Sequence, residues 1–451
     1  MKVIVIGCTH AGIAAIKQIL INYPTAEITV YERQENISYL SCATYLHIEG
    51  TVKSLDETFY AEPDEFVKQG VNMRIRHDVI KIDAATHTLL VQNLITKEFF
   101  NDTYDKLIMA AGSTTAIPAI TGIENPRVLL CKTYDQAHDL CQKTVSQPRI
   151  GILGGGRIGI ELAEGYAKSG HEVTLFQRPK YLLDKYVEPN LSLATAKLLT
   201  KHGIKVLTNT TVTSFDEDPD GSLVIATQDD RYHVDMAAVS AGMLPNTKLL
   251  KDQVETTSDG AIITDDYMYT SDEAILAAGD VAAVRLNITD QNTYLPLASQ
   301  AVRQGALAGM NVGERRVRTL GSQLTSGMLV FGHTIAEAGL TLEAAKAAHL
   351  NAATAHYEGP YRPNFMPDAY EVNINLVYDR NNRRVLGVQL MSQHDVSQSA
   401  NVVSMLIQNH GTIDQLAMVD MLFSLNFNNP FDYLNLVGQI AVTQENGYAR
   451  S

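Results

Sequence analysis

The residues with chemistry to offer are one cysteine and two glycine loops. Cys42 follows Ser41 at the start of a short run, 42–48, that can form a helix. A thiol at a helix N-terminus has its thiolate favoured by the positive end of the macrodipole, which lowers a pKa of about 8.5 into roughly the 3.5–7.5 range. Ser41 is the expected N-cap. The plain alternative is a small buried hydrophobe, the usual state of a lone cysteine. Cys8, Cys131 and Cys141 have no such setting and read as packing residues. No C-x-x-C or C-x4-C spacing supplies a second thiol or a metal site.

The first glycine loop, Gly7-Cys8-Thr9-His10-Ala11-Gly12, follows the apolar run Val3-Ile4-Val5-Ile6. Gly7 permits the tight turn, Gly12 lets the helix pack closely, and the helix N-terminus offers N–H groups to a pyrophosphate. Thr9 stands where the pattern has its middle glycine, and His10 is bulky for such a loop unless it is exposed there. A helix over 13–22, a strand over 27–31 and Glu32 complete a strand–turn–helix–strand–acid unit. Glu32 is placed to accept hydrogen bonds from both ribose hydroxyls; otherwise it is a solvated strand-end acid.

The second loop, Gly154-x-Gly156-x-x-Gly159, is complete and lies between strands expected at 149–153 and 172–176. Its strand-end acid is missing. Gln177 removes the repulsion of a 2′-phosphate and Arg178 can bind one, so NADPH is expected to be accepted. Alternatively Arg178 faces solvent and Gln177 bonds the ribose hydroxyls. Two nucleotide sites and one poised thiol fit electron transfer from a nicotinamide through a flavin to a small oxidant.

Further elements must bring these residues together. The run 104–112 reads as a strand ending in the small-residue turn Ala110-Ala111-Gly112-Ser113, which belongs with the cofactor site. Another glycine-bearing strand end lies at 236–242. A buried strand over 270–281 ends in Gly279-Asp280, an acid suited to a ribityl or phosphate-side hydroxyl. From about residue 322 the character changes. Two strands flank Asp379-Arg380-Asn381-Asn382-Arg383, a hairpin signature, and amphipathic helices follow near 396–409 and 413–418.

Bulk properties agree. A chain of 451 residues, 45% hydrophobic and 19% charged, has room for about three domains. Its net charge of -14 argues against a nucleic-acid partner. No apolar run approaches the roughly 20 residues of a membrane span. A first strand beginning at the N-terminus leaves no room for a signal peptide, so a cytoplasmic location is expected.

Gly7–Gly12, Ile37-Ser38-Tyr39-Leu40-Ser41-Cys42, Ala277-Ala278-Gly279-Asp280 and 297–305, with Asp395–Asn401 and 416–423, resemble the NADH oxidase and NADH peroxidase family of lactic acid bacteria nearly end to end. The resemblance implies an α/β fold like glutathione reductase. Two Rossmann-like nucleotide-binding domains would be joined by an α+β C-terminal dimerisation domain. FAD would be held by 1–117 and 247–322, NADH or NADPH by 118–246, and the homodimer by 323–451. It further implies that Cys42 cycles between thiolate and sulfenic acid beside the flavin, with His10 handling the proton and Arg303 as electrostatic neighbour. Lys132, Asp280, Leu297, Ala298 and Phe423 fall at FAD contacts. Ile158, Tyr186, Gly242 and Gly327 fall at nicotinamide-nucleotide contacts.

The implied activity is reduction of dioxygen to water. Reduction of hydrogen peroxide and a slow redox sensor are the rivals, and a coenzyme A-disulfide reductase is disfavoured by Ser41. Residues 43–49 and 424–430 depart from the family's pattern, which predicts an altered oxidant preference or a weakened activity.

Overall fold

The computed structural model describes residues 1–219 and 221–448. Its first sheet is all parallel, with strands in the order Ile275–Ala277, Lys106–Met109, Lys2–Ile6, Glu27–Glu32 and Asn72–Ile75. Parallel strands are covered on both faces, and Val3, Ile4 and Val5 are accordingly fully buried. One covering helix, His10–Asn22, is crossed closely by a second, Ala298–Asn311. Gly305 and Gly309 make that approach possible, since a Cβ on them would lie 2.2 and 2.3 Å from the carbonyls of Ala11 and Ala15. Residues almost three hundred positions apart thus share one layer.

The strand expected over 270–281 is shorter, Ile275–Ala277. The residues before it fold as a turn, in which the Ala274 N–H donates to the Asp272 carboxylate at 2.8 Å.

A second parallel sheet repeats the plan in the order Lys205–Leu207, Glu172–Phe176, Arg149–Leu153, Met236–Val239 and Val128–Leu129. Its leading helix is Arg157–Lys168. The third sheet is antiparallel, ordered Ser326–Val330, His333–Gly339, Val385–Ser392, Glu371–Asp379 and Ala352–Pro360. The expected hairpin lies within it.

Helices Ser397–Gln408, Ile413–Met418 and Tyr433–Tyr448 belong to the same region. The last of them has no expectation behind it, because Gly438 interrupts the helical signal. That glycine is required by packing: a Cβ there would lie 2.7 Å from the Ala417 nitrogen. No helix among the described residues is long and apolar enough to cross a membrane.

Candidate active site

Both glycine loops adopt one construction. Gly7 and Gly154 have φ of +93° and +116°, in the left-handed region that favours glycine. A Cβ on Gly7 would lie 2.4 Å from the Ala110 carbonyl, so the loop is closed against the neighbouring strand end. Helices His10–Asn22 and Arg157–Lys168 begin without a side-chain cap and without an acid in the first turn. Their first N–H groups are therefore left to an anion. Glu32 braces the first loop, its carboxylate accepting from the Cys8 N–H at 2.7 Å and the Gln34 N–H at 2.8 Å. Gln177 braces the second in the matching place, accepting from the Gly155 N–H at 2.7 Å. Arg178 is exposed.

The carboxyl ends of the central strands converge on the first loop, where a parallel sheet of this kind binds ligands. Ala110, Ala111, Gly112 and Ser113 follow one strand, and Gly279 and Asp280 another. Asp280 accepts from the Ser113 hydroxyl at 2.6 Å and pairs with Lys132 at 3.3 Å. Leu297 and Ala298 open the helix that carries Arg303. On the second loop's side, Tyr186 lies with its ring 4.0 Å from the guanidinium of Arg157, next to Ile158. Arg157 also forms an ion pair with Glu337, and the Ser326 hydroxyl donates to the same carboxylate. Gly327 adjoins that pair, opposite Ala336 in the hairpin. Gly242, at φ +116°, ends the turn after Met236–Val239.

Thr9 is the exposed N-cap position of the first helix, and His10, Ala11 and Gly12 form its first turn. The His10 Nδ1 is 2.8 Å from the Tyr60 hydroxyl, with the two rings stacked at 5.6 Å. Desolvation, with a smaller push from Lys132, outweighs Asp280 and lowers the His10 pKa, so the ring is neutral at pH 7. Tyr60 is itself fixed through its N–H, which donates to the Ser38 hydroxyl at 3.1 Å.

Cys42 departs from expectation in two respects. It is exposed and lies in a 3-10 turn, Ser41–Ala43, ahead of the five-residue helix Thr44–Ile48, and no side chain caps either. Ser41 instead contributes its carbonyl to the Thr44 hydroxyl at 2.8 Å. Nor is the thiol pKa lowered. Desolvation and then the Glu161 carboxylate raise it, against a backbone hydrogen bond and Lys132. A one-turn helix has little macrodipole, and a nearby carboxylate opposes it. Lys132 is a cation felt at Cys42. Arg303 donates its Nε–H to Gln300 at 2.9 Å, one helical turn earlier.

Glu161 had no place in the sequence argument. Burial, with Glu164 adding to it and Arg157 opposing, pushes its pKa up to about 7. Glu161→Gln is therefore expected to lower the Cys42 pKa by about one unit, the usual scale for a nearby charge. Because Glu161 itself titrates near 7, wild-type and variant alkylation rates should coincide below roughly pH 6 and diverge above neutrality, the variant reacting faster. Iodoacetamide kinetics on the purified protein decide this; superimposed profiles up to pH 9 would remove Glu161 from the thiol's environment.

In both unusual segments a buried residue is tied by hydrogen bonds. Thr44 is buried and bonded to both the Ser41 carbonyl and the Tyr39 hydroxyl at 2.8 Å. Asn428 is buried and ties the loop by donating to the Leu422 carbonyl at 2.7 Å. Phe423, by contrast, is 51% exposed beside Leu422 at 70% and Phe427 at 64%.

Paired dinucleotide cradles, an uncapped helix in each and an exposed thiol define an oxidoreductase of pyridine nucleotides. The chain matches the pyridine nucleotide-disulphide oxidoreductase family over residues 1–305 and that family's dimerisation domain over 325–423. It belongs to that family, with the glutathione reductase-like fold. Among its relatives, the NADH oxidase of Enterococcus faecalis is 41% identical over 443 residues, covering 98% of this chain and 99% of its own. The water-forming NADH oxidase of Lactobacillus brevis bound to NADH superposes with a TM-score of 0.98 at 45% identity, each chain fully covered. An engineered water-forming NADPH oxidase made from it, bound to NADPH, gives the same figures.

Proposed function

We propose that this protein is an FAD-dependent NAD(P)H oxidase that reduces dioxygen to water as a homodimer, with Cys42 as its single redox-active cysteine. What carries the proposal is the position of that thiol. Cys42 is exposed in the turn just ahead of the helix Thr44–Ile48, on which the second nucleotide helix packs, close enough that a Cβ on Gly165 would lie 3.0 Å from the Tyr45 carbonyl. The first cradle fits FAD: uncapped N–H groups for a diphosphate, Glu32 for a ribose, and Asp280 farther along the crevice, held by Ser113 and Lys132. Leu297, Ala298, Ala110, Ala111, Gly112 and Gly279 would line it. The second cradle fits the nicotinamide nucleotide, and Arg178 would meet a 2′-phosphate where one is present. The division into 1–117, 118–246, 247–322 and 323–451 follows these assignments.

Bound FAD supplies hydride acceptance from NAD(P)H and delivery of electrons to dioxygen or sulfur. The chain's own part begins with peroxide. The Cys42 thiolate attacks one oxygen, a proton goes to the leaving hydroxide, and thiolate, peroxide and proton become sulfenic acid and water. Sulfenic acid, NAD(P)H and a proton then give thiol, NAD(P)⁺ and water. His10, its Nδ1 turned to Tyr60, shares the influence of Lys132 with Cys42, and its Nε2 would hold the proton that the thiol exchanges. Lys132 stabilises the thiolate. The exposed Phe423 and its neighbours, at the end of the dimerisation region, would be covered by the second copy.

Oxygen-electrode turnover of FAD-loaded protein, with NADH and with NADPH and a peroxide assay at the end, tests the assignment. Two reduced nucleotides per dioxygen and no peroxide are expected. One nucleotide per dioxygen with accumulating peroxide would remove Cys42 from the cycle. Turnover on added peroxide alone would make the enzyme a peroxidase.

A further inference from the structure

Helix Thr44–Ile48, which follows Cys42, packs on helix Arg157–Lys168 of the second nucleotide domain, and the contact runs in register. Glu161 acts on Cys42, Gly165 meets Tyr45, and Lys168 meets Glu49. Residues 161, 165 and 168 recur at the i, i+4, i+7 spacing of one helix face, and 42, 45 and 49 keep the matching interval opposite. Gly165 lets the backbones approach, since its Cβ would also lie 3.5 Å from the Ile48 side chain. A helix of 5 residues has too few internal bonds to hold such a register by itself.

The far end of the seam is an ion cluster. The Lys168 ammonium lies 2.9 Å from the Glu49 carboxylate and 2.6 Å from that of Glu164, one turn earlier on its own helix. Both carboxylates are withdrawn from water, their side chains 8% and 2% exposed. Each has a second partner that fixes it. Glu49 accepts from the Thr51 hydroxyl at 2.7 Å, and Glu164 from the Phe331 N–H at 2.7 Å. Phe331 belongs to the turn between strands Ser326–Val330 and His333–Gly339, and its ring stacks on His202 at 3.9 Å. Lys168 thus joins the cysteine's helix, the nucleotide helix and the antiparallel domain at one point.

We infer that Lys168 is a positioning residue for Cys42: its bonds to Glu49 and Glu164 hold the cysteine's helix on the nucleotide helix in the register that sets the thiol beside Glu161. The inference rests on the reading of Cys42 as the reactive thiol and deepens it. The charged groups that reach Cys42 are Glu161, from that helix, and Lys132, from the segment before helix Tyr134–Thr144. Lys168 is not one of them. It lies seven residues beyond Glu161, about 10 Å along the helix, so it acts on the thiol through register and not through its own charge.

Iodoacetamide pH profiles of four purified proteins test the inference: wild type, Glu161→Gln, Lys168→Gln and the double variant. In the wild-type background Glu161→Gln should move the midpoint of the Cys42 profile down by about one unit. In the Lys168→Gln background the same substitution should move it by less than about 0.3 unit, because the two groups are no longer held together. Glu49→Gln in place of Lys168→Gln should give the same loss of coupling. It frees the cysteine's helix while Glu164 stays paired, and so serves where Lys168→Gln does not fold. A lysine that only stabilises would lower the urea midpoint and leave the full shift in place. The full shift in folded Lys168→Gln or Glu49→Gln protein therefore overturns the inference, and so does a wild-type profile that Glu161→Gln does not move. If the coupling is lost as expected while Cys42→Ser protein still makes water, Lys168 keeps its role and the oxidase cycle loses Cys42.

Discussion

Replacing Cys42 by serine is expected to change the product of dioxygen reduction from water to hydrogen peroxide, and to halve the nucleotide consumed per dioxygen from two to one. In the proposed cycle the electrons for the first half of the reaction do not pass through sulfur, so nucleotide oxidation is expected to continue. The second half needs a nucleophile soft enough to break the O–O bond and to accept its oxygen reversibly. A serine hydroxyl does neither at neutral pH, whereas a thiolate does both and is restored by the next nucleotide. Cys42 is exposed, so the substitution leaves no cavity, and a stability change beyond roughly 0.5 kcal/mol is not expected. Loss of water formation in a fully folded variant is then a chemical result. The measurement is peroxide formed per dioxygen consumed in the presence of excess NADH. A C42S protein that still makes water at two nucleotides per dioxygen would mean that the peroxide is consumed elsewhere.

The same thiol shows where sequence is informative and where it stops. The two cradles are legible because their requirements are local. Gly7 and Gly12, like Gly154 and Gly159, touch one another across a single turn, and Glu32 reaches back to the loop that precedes its own strand. Cys42 depends on partners that no spacing announces. Its predicted low pKa comes from the helix that follows it, but its actual environment includes Glu161, from the second nucleotide domain, and Lys132. Tyr60 meets His10 across 50 residues, and Glu337 meets Arg157 across 180. Such pairs have no periodicity and no motif; only packing creates them. One of these partners was within reach of the sequence, since Glu161 lies four residues after Arg157 on the same amphipathic helix.

Removing Arg157 is expected to destabilise the protein by about 3–5 kcal/mol, the scale for a buried carboxylate stripped of its counter-ion. Glu337 is 4% exposed, and burial drives its pKa up while Arg157 opposes that drive. Without the guanidinium only the Ser326 hydroxyl remains to it among the pairings described above. The Tyr186 ring would also lose its cation, a smaller effect. If charge burial is the cause, Glu337→Gln in the Arg157→Ala background should recover most of the loss, because an amide is far cheaper to bury than an unpaired carboxylate. If packing is the cause, the double variant should be as weak as the single one. Urea unfolding of FAD-loaded protein distinguishes them by midpoint. The pair has a further consequence through its position: Arg157 is the first residue of the nucleotide helix, while Glu337 lies in the antiparallel domain. Their bond fixes the N-terminus of that helix against the region that carries Gly327. Restoring stability by the second substitution should therefore not restore nucleotide affinity, and the Kd for NAD⁺ should stay raised in the double variant. Recovery of both together would reduce the pair to a stabilising contact with no part in the site.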